Sequence, residues 1–330
     1  GCGLMTVRFY SSLDAGSPAL IGSRLIDQVK QILIACLVNG YGSKLPAGWT
    51  VGHEHSDGFS LSNGEGFINL VNLAATAYVA YIMESITDGT TALAGGINRR
   101  SGRWYDGSAA TQRQVINTSS FVSGTNKHWH VVADDKSCVL MLGCQATTAD
   151  VDASQGVAHI FGRYINALGL SGFCSLGGAD ASSGGASGAL QNFAGALLRH
   201  PFTGLIDQGT APLYACMGAG YQAAAVTSRA TLQPDVLTLI RAGVMGIGAG
   251  VSGGSIADTA VFSGRLRGVV SDPVLCGAKA SQVLPLLGSN NTWQARVTAI
   301  SLANGKQLVP LFPSGGDRGY FVSLDPSDWE

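Results

Sequence analysis

The chain has 330 residues, of which 46% are hydrophobic and only 12% are charged, and its formal net charge is −1. Globular domains usually carry about 25% charged residues, so much of this surface is expected to be covered by neighbouring molecules. The balanced charge excludes a basic nucleic-acid-binding face and an acidic tail, and no apolar run reaches the roughly 18 residues of a transmembrane helix.

The clearest helix is predicted over residues 18–38. Ser17 is a suitable N-cap with Pro18 at the first helical position, and Asn39-Gly40 is a suitable end. Apolar residues recur at helical spacing and predict a buried face made of Ile21, Leu25, Val29, Ile32, Leu33 and Cys36. Residues 5–16, before the helix, are predicted to form an exposed lead-in strand and turn.

After Trp49 the pattern changes to short apolar runs separated by Gly, Ser, Asn and Asp, which is typical of β-strands and turns. Hairpins are predicted over residues 59–70 and 127–143. The second pairs runs 129–133 and 138–142 across a turn at residues 134–137. Because Asp134 and Asp135 lie on this turn, we expect both carboxylates to be solvated.

The remaining apolar runs extend the β pattern to the end of the chain, with Asn304-Gly305 as a hairpin turn. A run at residues 190–198 fits a short helix or a strand equally well. Strands are predicted at residues 77–82, 115–120, 157–168, 212–217, 236–245, 260–262, 266–270, 293–300, 307–312 and 320–324.

These patterns predict a mainly β (α+β) fold with a β-sandwich-like body, one N-terminal α-helix and few short helices. We divide the chain into an N-terminal strand and helix (residues 1–48), a β-rich body (49–270) and a C-terminal β segment packing on the body (271–330). No repeat of fixed period is present, which argues against solenoids and propellers.

The seven cysteines are irregularly spaced and include no Cys-x-x-Cys pair. This usage is typical of reduced thiols in a protein made in a cytosol. The N-terminus also lacks the basic region and apolar run of a signal peptide, which agrees with that expectation.

Histidines supply the only metal candidates. His53 and His55 are spaced to lie on one face of a strand, and His128 and His130 repeat that spacing. If the two strands were neighbours, the four imidazoles could hold zinc. Exposed or packed histidines account better for the pattern, so we predict no metal and no cofactor.

No complete catalytic constellation is present. There is no Gly-x-Ser-x-Gly elbow flanked by a strand and a helix, and no Walker lysine follows a glycine loop. The glycine tracts at residues 248–250 and 253–254 lack the strand–helix context and the downstream acid of a dinucleotide fold. We therefore predict no catalytic residues and no enzymatic activity, and keep a metal-dependent hydrolase at the four histidines as an alternative.

Residues 98–106 form the one basic and aromatic stretch. Arg99, Arg100, Arg103 and Trp104 could bind a sugar or a phosphate, which would fit a receptor- or carbohydrate-binding module. Arginine and aromatic residues are also enriched at protein interfaces. Since charge is scarce elsewhere, the interface interpretation is favoured.

Several segments resemble virion structural proteins of tailed bacteriophages: residues 5–16 (MTVRFYSSLDAG), 37–42 (LVNGYG), 47–50 (AGWT), 98–102 (NRRSG), 130–135 (HVVADD), 160–162 (IFG) and 264–268 (GRLRG). None of these is a catalytic signature. The resemblance implies a tail or baseplate component that is assembled in the host cytoplasm and located in the virion. Its expected partners are further copies of itself in a symmetric homo-oligomer, other virion proteins and a host surface receptor, with no nucleic acid and no membrane span.

Overall fold

A computed structural model describes residues 6–88, 95–101, 104–105, 113–124, 127–144, 156–166, 171–180, 194–196, 213–216, 240–247, 260–271, 284–285, 287–288, 292–311 and 320–330. Within them the protein is mainly β, with a sandwich-like body and few helices, as predicted. No helix in these ranges is long and apolar enough to cross a membrane.

The helices are short. Helix α1 (Leu25–Leu33) continues into a π-helical segment, Ile34–Asn39, and is followed along the chain by α2 (Ser119–Ser123), α3 (Trp293–Arg296) and a 3-10 turn, Pro326–Trp329. The strands are β1 (Arg8–Ser11), β2 (Thr50–His55), β3 (Gly58–Ser62), β4 (Phe67–Ala74), β5 (Ala77–Met83), β6 (Ser85–Asp88), β7 (Gly95–Ile97), β8 (Arg100–Ser101), β9 (Trp104–Tyr105), β10 (Gln114–Asn117), β11 (Lys127–Ala133), β12 (Ser137–Cys144), β13 (Val157–Asn166), β14 (Ser171–Gly177), β15 (Ala179–Asp180), β16 (Ala194–Ala196), β17 (Leu213–Cys216), β18 (Ile240–Ile247), β19 (Ala260–Ser271), β20 (Ile300–Ser301), β21 (Gln307–Leu311) and β22 (Tyr320–Ser323).

The strands form two main antiparallel sheets. The large sheet has the order β1-β11-β12-β13-β14-β16-β17-β18-β19-β22-β21-β20, and an additional β13–β19 pairing closes six of its strands into a ring. The small sheet has the order β15-β10-β5-β4-β3-β2, with the β8–β9 hairpin attached to β5. Strands β6 and β7 pair separately.

The main core lies between the two sheets. Alternate side chains of β3, β4 and β5 point inward and meet α1 and the inward residues of β11 and β12, because successive residues of a strand face opposite sides. A second apolar cluster lies on the other face of the large sheet, where it includes Val132, Val139, Val309 and Trp329. The N-terminal and C-terminal segments both contribute strands to the large sheet, and the division at residues 48 and 270 stays a prediction.

The hairpin predicted over residues 127–143 is confirmed as β11 and β12, which pair along their whole length from Lys127↔Cys144 to Ala133↔Cys138. The hairpin predicted over residues 59–70 is confirmed as β3 and β4. The Asn304-Gly305 turn is confirmed between β20 and β21, where Gly305 adopts a φ of 82°.

The predicted helix begins seven residues too early. Residues 17–24 are not helical, and Gly22 adopts a φ of 109°, which a right-handed helix cannot contain. Ile21 is consequently 72% exposed, whereas the other residues of the predicted face are buried. The predicted end is correct, because Gly40 follows the π-helical segment with a φ of 76°.

Three further expectations were wrong. The lead-in strand is not exposed, because β1 pairs with β11 and Tyr10 is fully buried. The strand predicted over residues 293–300 begins instead as helix α3, whose first turn is capped by the Thr292 side chain. The strand predicted to reach residue 120 ends at Asn117, and α2 follows it.

Candidate functional site

Strand β2 ends the small sheet and carries the His-Glu-His sequence. Most of its residues are exposed, and it pairs only with β3 among the described strands. His53 and His55 lie on the outer face with stacked rings whose centroids are 5.3 Å apart. Glu54 points to the opposite face and forms an ion pair of 2.9 Å with Lys30 of α1. The sequence therefore correctly placed both imidazoles on one face of a strand.

The four histidines do not come together. His128 and His130 lie on β11, which pairs with β1 and β12 of the large sheet, so the neighbouring strands required by a four-histidine site do not exist. His55 Nδ1 accepts a hydrogen bond from the Asp57 amide at 3.1 Å, which leaves the proton on Nε2 and makes that nitrogen a poor metal ligand. The described residues contain no group of three or more metal-ligating side chains.

The basic and aromatic stretch is divided between surface and interior. Arg99 is half-buried, and its guanidinium carbon lies 5.7 Å from the centroid of the Tyr81 ring. Arg100 begins β8 and is only 2% exposed, so its side chain packs inside the fold. Trp104 begins β9, and Arg103 lies outside the described residues. The interface assignment of this stretch stays a prediction.

A row of polar residues crosses the outer face of the small sheet beside Arg99. His53 is opposite Ser60, Ser60 is opposite Asn69, and Asn69 is opposite Tyr81, so the row spans β2 to β5. Ser60, Asn69 and Tyr81 are at most 1% exposed. No local pattern in the sequence predicts this row, because the row depends on the register of three strand pairs.

A second polar cluster, fully buried, connects the two sheets. The Tyr78 hydroxyl lies 3.0 Å from Nδ1 of His159, and Nε2 of His159 lies 2.8 Å from Ser175 Oγ. Ser175 donates its proton to Oε1 of Gln114 at 2.8 Å, and the Gln114 amide group donates to the Gly177 carbonyl at 3.0 Å. Burial lowers the pKa of His159 to about 3, so the ring is neutral.

This cluster has the composition of a serine–histidine dyad, but the hydrogen bond between Ser175 and His159 runs in the opposite direction. A serine hydroxyl has one proton, and here Gln114 accepts it, so His159 must donate from Nε2 and accept from Tyr78 at Nδ1. In nucleophilic catalysis the imidazole accepts the serine proton instead. The geometry therefore suits a structural link between β5 and β10 on one side and β13 and β14 on the other.

The Asp134 carboxylate was expected to be solvated, and this was wrong. Asp134 is fully buried and forms a bidentate pair with Arg267 of β19, with distances of 2.7 Å and 3.2 Å. Arg267 also donates to Ser137 Oγ at 2.9 Å and to the carbonyl of Trp329. The Trp49 indole donates to the Asp134 carbonyl at 2.9 Å. The turn at residues 134–137 is thus a junction between distant parts of the chain.

No family model and no curated protein matches this sequence.

Proposed function

We propose that this chain is a structural subunit that acts by protein–protein association in a larger particle. The resemblance of its segments to virion structural proteins of tailed bacteriophages supports a place in the tail or baseplate of such a particle. In this role the chain forms a symmetric homo-oligomer and contacts other virion proteins, and it catalyses no reaction.

The observation that carries this proposal is the exposed strand β2 at the end of the small sheet. Its six residues, Thr50–His55, include four exposed positions, among them Val51. An edge strand presents unpaired backbone N–H and C=O groups, and these readily pair with an extended segment of another chain. The bulge between Val51 and His53 interrupts the edge, so the strand would contribute one part of a wider contact.

Composition supports the same function. Charged residues make up only 12% of the chain, which is about half the usual fraction. Large apolar side chains are exposed in the N-terminal part, where Leu13 and Leu45 are both more than half exposed. Burial of such side chains against a neighbour is favourable at about 25 cal/mol per Å² of apolar area.

The test measures the oligomeric state of the purified chain by sedimentation velocity over a range of concentrations. The wild-type chain should form a discrete oligomer, and Val51→Lys should shift it towards the monomer because a lysine on an edge strand opposes pairing. Ser301→Lys is the matched control, because Ser301 is exposed on β20 at the edge of the large sheet.

The second arm asks whether the chain is recovered from intact particles in a fixed stoichiometry. A chain that stays monomeric at high concentration, is absent from particles and turns over a polysaccharide or a peptide would contradict the proposal. That result would favour the hydrolase alternative.

A further inference from the structure

Tyr81 lies on the outer face of the small sheet with a buried hydroxyl. The residue is 1% exposed, and its oxygen has no hydrogen-bond partner among the described residues. An unpaired buried hydroxyl is unfavourable, and almost all buried polar groups in native proteins have a hydrogen-bond partner. The Tyr81 hydroxyl is therefore a group that needs a partner from outside the described chain.

Two arginines influence the Tyr81 phenol. The Arg99 guanidinium carbon lies 5.7 Å from the centroid of the Tyr81 ring. Burial raises the pKa of Tyr81, and the charges of Arg113 and Arg99 oppose that rise, so both guanidinium groups act on the phenol. Both arginines are half-buried, which leaves part of each side chain accessible from solvent.

Neutral hydrogen-bonding groups continue from Tyr81 across the sheet. Asn69 is directly opposite Tyr81, and Ser60 is directly opposite Asn69. The Ser60 hydroxyl is also buried and has no hydrogen-bond partner within the described part of the chain. Since neighbouring strands lie about 4.8 Å apart, these groups follow one another at short intervals from Tyr81 across β4 and β3.

We propose that this cluster, Tyr81, Arg99, Arg113, Asn69 and Ser60, binds an oxyanion, a carboxylate or a phosphate, on a small hydroxylated ligand such as an acidic sugar. The planar guanidinium groups match an oxyanion, and the Tyr81 hydroxyl donates to it. Asn69 and Ser60 then hydrogen-bond the hydroxyl groups of the ligand. This site is separate from the assembly role and does not depend on it.

The test is calorimetric titration of the purified chain with glucuronate, inorganic phosphate and glucose. Glucuronate should bind, phosphate should compete with it because both present an oxyanion, and glucose should not bind measurably. Tyr81→Phe and Arg99→Gln should each weaken glucuronate binding by roughly tenfold or more, since each removes a charge-assisted contact.

Two variants of the large sheet serve as matched controls. Tyr164→Phe removes a buried hydroxyl from β13, and Arg163→Gln removes a partly exposed charge from the same strand. Both should bind glucuronate as the wild type does. Circular dichroism checks that each variant is folded. If Arg99→Gln unfolds, Tyr81→Phe still tests the site, because it removes only the hydroxyl and keeps the ring. An absence of glucuronate binding, or wild-type affinity in Tyr81→Phe, would overturn the proposal.

Discussion

Removing the Asp134 carboxylate should destabilise the protein more than any other change on the β11–β12 turn. The Asp134 and Arg267 side chains are 0% and 3% exposed, and their closest oxygen–nitrogen distance is 2.7 Å. In Asp134→Ala the guanidinium would remain buried without its counter-ion, which typically costs about 3–5 kcal/mol. The variant would also lose the bonds that Asp134 Oδ1 accepts from the Lys136 and Ser137 amides, at 2.9 Å and 2.7 Å.

The neighbouring residue provides the control. Asp135 has a side chain that is 59% exposed, and its only described ion pair, with Lys136, spans 3.9 Å. Asp135→Ala should therefore change the free energy of unfolding by less than about 0.5 kcal/mol. Equilibrium urea unfolding followed by tryptophan fluorescence measures both variants, since Trp49 bonds to the Asp134 carbonyl.

A double-mutant cycle separates the loss of the pair from the burial of a lone charge. Arg267→Met alone should also be destabilising, because it leaves the buried Asp134 carboxylate without its counter-ion. The double variant Asp134→Ala with Arg267→Met should be less unstable than the sum of the two single changes, because it buries no unpaired charge. Equal stability of Asp134→Ala and Asp135→Ala would refute the buried junction.

Three other measurements test the fold. Leu25→Ala should cost about 2–5 kcal/mol because Leu25 is fully buried, whereas Ile21→Ala should stay within about 0.5 kcal/mol; equal effects would contradict the position of α1. Burial lowers the pKa of His130 and His159 to about 3, so between about pH 6.5 and pH 3 only the unfolded chain binds protons at these two histidines. The free energy of unfolding should therefore be fully present above about pH 6.5 and fall by about 3 kcal/mol per histidine at pH 4.5. In acid unfolding experiments, His159→Gln should make the free energy of unfolding depend less steeply on pH. Cys36, Cys138 and Cys174 are free and buried, and burial raises their thiol pKa values, so alkylation should reach these three only in denaturant. In denaturant without reductant, mass spectrometry should count all seven thiols of the chain, and a smaller count would show a disulfide.

The sequence predicted the parts of the fold that local signals determine. The β11–β12 hairpin follows from two apolar runs and a turn rich in Asp and Ser, and all of these lie within eighteen residues. The start of α1 was missed because Ser17-Pro18 is a good cap by composition, while the conformation of Gly22 excludes the helix there. Residue type alone does not show whether the favourable cap at Ser17-Pro18 or the positive φ of Gly22 decides where the helix begins.

The buried polar groups could not be predicted because their partners are distant along the chain. Asp134 and Arg267 are separated by 133 positions, so no local pattern indicates that they pair. An aspartate on a turn is therefore predicted to be solvated. The dyad-like cluster joins Tyr78 to His159 across 81 positions, and the direction of its hydrogen bonds depends on Gln114. The small-sheet row needed the register of β2 to β5, of which only the β3–β4 hairpin was predicted.

Several charged residues in the described part of the chain pair with one another, and this supports the proposal of association. Lys44 pairs with Asp14, Lys30 with Glu54, Arg163 with Glu65, and Lys306 with Asp325 and Asp328. Such partly exposed pairs each contribute little to folding stability, roughly 0–1 kcal/mol, but they neutralise one another at the surface. A chain that starts with 12% charged residues therefore presents still less unbalanced charge to water or to a second copy. Electrostatic repulsion between copies is correspondingly weak, so an exposed edge such as β2 meets little opposition when another strand approaches it.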